Sequence, residues 1–200
     1  MKIQLGKKNK DGGLFIMVIL DLNYTHTDYA KHIRPFLCKG IFIDTSVMKM
    51  FIDGYINCFF SKRIDEQYNC LIGILEKLKV NNKWKMFWVT PHILTEICHH
   101  FHCDYSKRND YHEIVRDIIP ILKDMQEERN FGKEKILDFI NLNKPIIELG
   151  DISIFLSVDD IVDNSKKIAI LAKDDGFNKR YKNHPNVLVI DYDRVVLSLN

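Results

Sequence analysis

Four acidic residues stand out by where they fall along the chain. Asp44 closes the apolar run Ile41-Phe42-Ile43 and is followed by Thr45 and Ser46. Glu96 lies in the second turn of a helix that Thr90-Pro91 opens, with Thr as N-cap and Pro at the first helical position. Asp151 begins a further helix, after Gly150, and Asp174 ends the apolar run 167–172. In a parallel sheet, strand C-termini and the helix N-termini that follow them share one edge, so all four carboxylates can converge there. Clustered carboxylates raise one another's pKa unless a cation neutralises them. The economical partner is a divalent ion that prefers hard oxygen ligands, Mg²⁺ or Mn²⁺, as one ion or two. Sites of this type hydrolyse phosphodiesters by activating water and stabilising the charge that develops. Ser46 and Asp175, neighbours of two of these acids, are candidate supporting residues.

The elements that must position these residues follow from apolar periodicity. Residues 14–22 (LFIMVILDL), 41–44, 84–89, 167–172 and 186–190 read as strands. Helices are expected over 47–60, 64–80, 91–103, 111–130 with a bend or break at Pro120, 133–142 and 151–162, and a short one at the C-terminus. Asp151 is expected as an N-cap. Lys144-Pro145 reads as a loop, and 23–39 as a connecting segment with no clear period. Strands alternating with helices argue for an α/β fold, a central and mainly parallel sheet covered on both faces. Residues 1–39 are taken as an N-terminal extension and 40–200 as the main domain.

Composition sets bounds on function. The 200-residue chain is 46% hydrophobic and 28% charged, enough to build a core. Its formal charge of +2 is too small for nucleic-acid binding by bulk charge, so any such binding needs a local patch. Candidates are His99 and His100, together with Lys179, Arg180 and Tyr181, the last as a ring on which a base can stack. Five cysteines without regular spacing argue against a disulfide framework and for a reducing cytoplasm. The early apolar run 14–20 is too short to span a bilayer, and no membrane partner is expected.

The segments IFIDTSV (41–47), VTPHILTEI (89–97), ELGDISI (148–154) and ILAKDDGF (170–177) resemble, in order, the four acidic blocks of the PIN-domain ribonucleases. The resemblance spans residues 41 to about 190. It implies a three-layer α/β/α sandwich and a Mg²⁺- or Mn²⁺-dependent endoribonuclease in which Asp44, Glu96, Asp151 and Asp174 are the metal-site acids. It also implies cleavage to a 5′-phosphate and a 3′-hydroxyl, and Ser46 sits at the family's hydroxyl or amide position. Many small members are toxins neutralised by a small antitoxin, and many form homodimers; an RNA-processing role is the other expectation. Ala172 departs from the Thr or Ser that the family usually places two residues before its last acid.

Each residue has a plainer explanation. Asp44 and the Asp174-Asp175-Gly176 run suit turns, Asp151 suits a cap, and Glu96 borders the stripe Ile93, Leu94, Ile97 and Phe101. Asp21 also ends an apolar run but leads into an aperiodic segment. A rival reading takes His92, Glu96, His100 and Cys103 along one helix flank as zinc ligands, although no CxxC pair accompanies them. Two other readings of the whole chain are a catalytically degenerate PIN-like module that binds RNA or protein, and a structure-specific DNA nuclease.

Overall fold

A computed structural model describes residues 29–128, 133–143, 148–173 and 175–197. The strand expected over 14–22 and the loop at Lys144-Pro145 lie outside the described residues, as does Asp174. Among the described residues five strands form one sheet: β1 (Ile41–Ile43), β2 (Phe87–Val89), β3 (Gln126–Glu127), β4 (Ile168–Ala172) and β5 (Val187–Asp191). Their order is β3-β2-β1-β4-β5, and every pairing is parallel. Every residue of β1 and of β4 is buried. Strands buried on both faces require helices on both faces, and the fold is an α/β/α sandwich.

The helices are α1 (Arg34–Leu37), α2 (Thr45–Phe59), α3 (Glu66–Lys77), α4 (Pro91–Tyr105), α5 (Tyr111–Asp124), α6 (Lys133–Asn143), α7 (Leu149–Asp163), α8 (Asp175–Tyr181) and α9 (Tyr192–Leu197). None of those among the described residues is long and apolar enough to cross a membrane. Most lie within a few residues of the spans that periodicity predicts. Four features differ. Residues Tyr29–Ile33 form a π-helical turn that runs into α1, and Tyr29, Ile33, Phe36 and Leu37 join the core, where a connecting segment is expected. The strand expected from Trp84 starts only at Phe87, because Trp84–Met86 is a 3-10 turn. Helix α5 continues through Pro120 and ends at Asp124. Pro120 and Arg116 are both exposed, so the hydrogen bond the ring removes lies on the wet side of the helix. Finally, α7 begins two residues earlier than expected and its N-cap is Glu148; Asp151 is the third helical residue, not the cap.

One glycine fixes how the chain enters β1. Gly40 turns the chain into β1 at φ +107°, a backbone region open chiefly to glycine. A Cβ there would also lie 2.4 Å from the Trp88 ring nitrogen, which donates to the Lys39 carbonyl at 2.7 Å. Strand β1 sits between β2 and β4, so the chain leaves it in one direction and returns on its other side. That is a topological switch point, and ligands in open α/β sheets bind in the crevice at the C-terminal ends of the strands beside it.

Candidate functional site

Asp44 occupies this switch point. It follows β1 directly, stands at the N-cap position of α2 without a side-chain capping bond, and is 2% exposed. Its amide donates to the Leu171 carbonyl at 3.0 Å, tying it to the end of β4. The next residue, Thr45, donates its hydroxyl to Glu96 Oε2 at 2.6 Å. Glu96 Oε1 accepts the amide hydrogen of Gly150 at 3.2 Å. One carboxylate on α4 therefore spans from the residue after Asp44 to the residue before Asp151. A Cβ at Gly150 would lie 3.0 and 3.1 Å from the two Glu96 oxygens and 3.1 Å from Thr45 Oγ1, so the close approach needs glycine or a shift of the carboxylate.

A second, fully protein-internal chain of hydroxyls braces the same edge. Thr90 caps α4 by accepting from the Ile93 amide at 3.3 Å. Its hydroxyl also shares a hydrogen bond with Ser153 Oγ at 2.6 Å. Ser153 donates to the Gly150 carbonyl at 2.6 Å, and Ser157 to the Ser153 carbonyl at 2.7 Å. All three hydroxyl residues are buried. The start of α4 and the first turn of α7 are thus fixed to each other, with β1 and β4 beside them.

Asp44 and Asp151 are the sequence neighbours of the two residues that Glu96 binds, Thr45 and Gly150, so three of the four expected acids lie on segments that meet at this edge. Asp174 lies outside the described residues. Ser46 is exposed, one residue round the helix from the hydroxyl that reaches Glu96. Asp175 is also exposed, and its carboxylate pairs with Lys179 at 3.2 Å and Arg194 at 2.7 Å. The Lys179 hydrogen bond, then the two positive charges, hold its carboxyl below the usual range.

The residues expected to contact nucleic acid divide. His99 is exposed on α4. His100 is enclosed between two helices, with Nε2 at 2.7 Å from Asp53 and Nδ1 at 2.7 Å from Asp104. Arg180 pairs with Asp159 at 2.5 Å. Its guanidinium lies 4.9 Å from the Phe155 ring centre and 5.1 Å from that of Phe139. Tyr181 does not fit the expectation of a base-stacking ring. It is 5% exposed, packs on Phe155, and donates its hydroxyl to Asp159 at 2.8 Å. The zinc flank of His92, Glu96, His100 and Cys103 is not assembled either, because Glu96 and His100 are held by the contacts just described.

Thr45, Gly150 and Asp191 belong to this edge and were not singled out from sequence. Asp191 ends β5 opposite Ala172 and is 8% exposed. Its carboxylate accepts from Asn178 at 2.5 Å, from Arg194 Nε at 3.0 Å and from the Arg194 amide at 3.1 Å. The signal for it was present: the run 186–190 ends on an acid just as 41–43 does.

Hard carboxylate oxygens at a strand-end crevice suit Mg²⁺ or Mn²⁺ in donor chemistry, and each Glu96 oxygen keeps lone-pair capacity beyond the one bond it accepts. Among the described residues, however, no group of three or more His, Cys, Asp or Glu side chains is arranged to hold a metal ion. What the structure joins is the segments that carry the acids, through Thr45 and Gly150. No protein-family model, curated protein or solved structure matches this chain.

Proposed function

We propose that this protein is a metal-dependent endoribonuclease that hydrolyses RNA phosphodiesters, with Asp44, Glu96, Asp151 and Asp174 as its acidic site. Its setting would be that of a toxin with a small antitoxin or of an RNA-processing enzyme. The observation that carries the reading is Glu96, bonded at once to Thr45 and to Gly150. These two bonds tie together the three segments that carry Asp44, Glu96 and Asp151, at the switch point of a parallel sheet. A divalent ion held by these carboxylates would supply an activated water and charge neutralisation at the scissile phosphate. The chain's own part is to orient the acids. Thr45 and Gly150 fix both oxygens of Glu96, and the Thr90–Ser153 pair keeps α4 and α7 in register. The buried position of Asp44 limits its motion.

One observation favours a second reading, a degenerate module that binds RNA or protein without cleaving it. Both Glu96 oxygens already accept hydrogen bonds inside the protein, so its carboxylate has a structural role to fill without a ligand.

Cleavage of labelled single-stranded RNA with Mn²⁺ or Mg²⁺ separates the two readings. The nuclease should cut, and cutting should stop with EDTA and in Asp44→Asn. Absence of cleavage over a panel of RNAs, together with no Mn²⁺ uptake by calorimetry, leaves the binding module. A DNA panel run in parallel tests the structure-specific DNA nuclease.

A further inference from the structure

A cavity of about 300 Å³ opens at the other end of the sheet, where β1 and β2 begin. That volume falls at the lower end of the range for small-molecule sites. Leu37 and Met86, which precede those two strands, form its apolar wall together with Val80 and the Tyr29 ring. Arg34, Lys79 and Lys83 supply its charge. No acid lines the cavity, and among the described residues no carboxylate pairs with any of the three cations. Three positive charges around one concave and partly apolar surface concentrate a positive potential there.

Lys79 occupies its place at a conformational cost. Helix α3 ends in a Schellman turn: the Val80 amide donates to the Leu75 carbonyl at 2.9 Å, and the Lys79 amide to the Glu76 carbonyl at 2.8 Å. Such a turn needs one residue in the left-handed backbone region, and Lys79 takes it at φ +60°. Glycine is the usual residue there, because it lacks the Cβ that this region disfavours. Strain of this kind points to a role for the side chain that bears it. The Lys79 ammonium sits 4.8 Å from the centre of the Tyr29 ring, at the cavity wall. Lys83 is anchored beside it: its ammonium donates to the Lys79 carbonyl at 2.8 Å and keeps two further hydrogens to give. Arg34 adds a planar fork of donors that matches phosphate oxygens.

We propose that this cavity binds a phosphate monoester with an apolar organic part. A monoester carries about −1.5 to −2 charges at neutral pH, which three cations can neutralise. Arg34, Lys79 and Lys83 hold the phosphate oxygens, while Leu37, Val80 and Met86 cover the organic group. The unphosphorylated molecule leaves the cations without a partner, and inorganic phosphate leaves the apolar wall wet. The site is independent of the nuclease reading. Asp44 follows the far end of the three-residue strand β1, about 10 Å along the strand.

The test is calorimetry on the full chain, with EDTA present so that no divalent ion bridges a phosphate to the acidic edge. Phenyl phosphate is the probe, beside phenol and inorganic phosphate. Phenyl phosphate should bind at least tenfold more tightly than either. Arg34→Gln and Lys79→Gly should each weaken it at least tenfold. Glycine is the residue the Lys79 backbone favours, so loss of binding in that variant is not a folding defect, and circular dichroism verifies that each variant is folded. Lys85→Gln, which removes an exposed cation beside Met86 that does not line the cavity, should leave binding unchanged. The proposal is overturned if phenyl phosphate does not bind, or if phenol or inorganic phosphate binds as tightly. It is equally overturned if binding survives Lys79→Gly and Arg34→Gln, or if Lys85→Gln weakens it as much as they do.

Discussion

The hydroxyl of Thr45 donates to a half-buried carboxylate whose other oxygen is held by a backbone amide. Replacing it with Val keeps the branched shape and removes the donor, leaving Glu96 Oε2 short of a partner. Hydrogen bonds to charged groups contribute about 1.5–3 kcal/mol, so Thr45→Val should destabilise the protein by roughly that amount, and Thr45→Ser should restore most of it. Urea unfolding of the three proteins reads the difference. RNA cleavage should follow the same order, because the substitution frees the acid to leave the edge. Equal stability of the Val and Ser variants would mean that the hydroxyl is not what holds Glu96. At this scale the sequence was only partly informative. An acid after an apolar run marks Asp44, but Thr45 and Ser46 are chemically similar neighbours, and only the phase of α2 decides which one faces α4. Gly150 carries no side chain to suggest a role; its role is the space it leaves for a carboxylate that arrives from 54 residues away in sequence.

Helices α2 and α3 cross where Gly54 meets Tyr68. A Cβ at Gly54 would lie 2.2 Å from Tyr68 Cβ and 2.7 Å from its ring, atoms too near the backbone to swing aside. Tyr68 is itself pinned in the core against Phe51, ring centres 5.7 Å apart. Gly54→Ala must therefore push the two helices apart, at a cost at or above the upper end of the roughly 1–3 kcal/mol usual for overpacking. Gly73, on α3, has nothing within 4 Å of its Cβ position. There Gly73→Ala should stabilise by about 1 kcal/mol through helix propensity alone. Thermal unfolding should show shifts of opposite sign; two shifts of the same sign would refute the crossing as the cause. The elements that periodicity reveals are those built on apolar runs: β1, β4, β5 and the long helices. What it misses are elements whose reason is tertiary. Strand β3 is two polar, exposed residues that exist only by pairing with β2. The helical stretch from Tyr29 buries Tyr29, Ile33, Phe36 and Leu37 at helical spacing, but it is short and interrupted by Pro35, and the Tyr29 hydroxyl reaches the Leu78 carbonyl at 2.7 Å, a contact no local pattern encodes.

Across the whole molecule, ionisable groups bound the pH range of stability from both sides. Asp110 and Asp175 are held below the ordinary 3.8, first by hydrogen bonds from Arg108 and Lys179 respectively. A depressed carboxyl adds stability above its unfolded value and loses it as pH falls through the folded one, so this contribution disappears below about pH 4. Six of the described tyrosines have raised phenols, and the four shifted furthest dominate the alkaline limit. Burial raises Tyr68 and Tyr192 to about 12 and pushes Tyr105 and Tyr181 higher still. The nearby Asp53 adds to the shift of Tyr105, and Asp159 to that of Tyr181. A raised phenol is fully stabilising below its unfolded value of 10.0. Its contribution is lost as pH climbs toward the folded value, because only the unfolded chain releases the proton in that interval. Denaturant midpoints should therefore fall below about pH 4 and fall again above pH 10. Tyr181→Phe isolates the alkaline limb. It removes the bond to Asp159, so it should lower the midpoint at neutral pH, yet it also removes a proton whose loss favours unfolding. Its curve should decline less steeply above pH 10 than that of the parent. Parallel curves there would assign the alkaline limb to the other tyrosines.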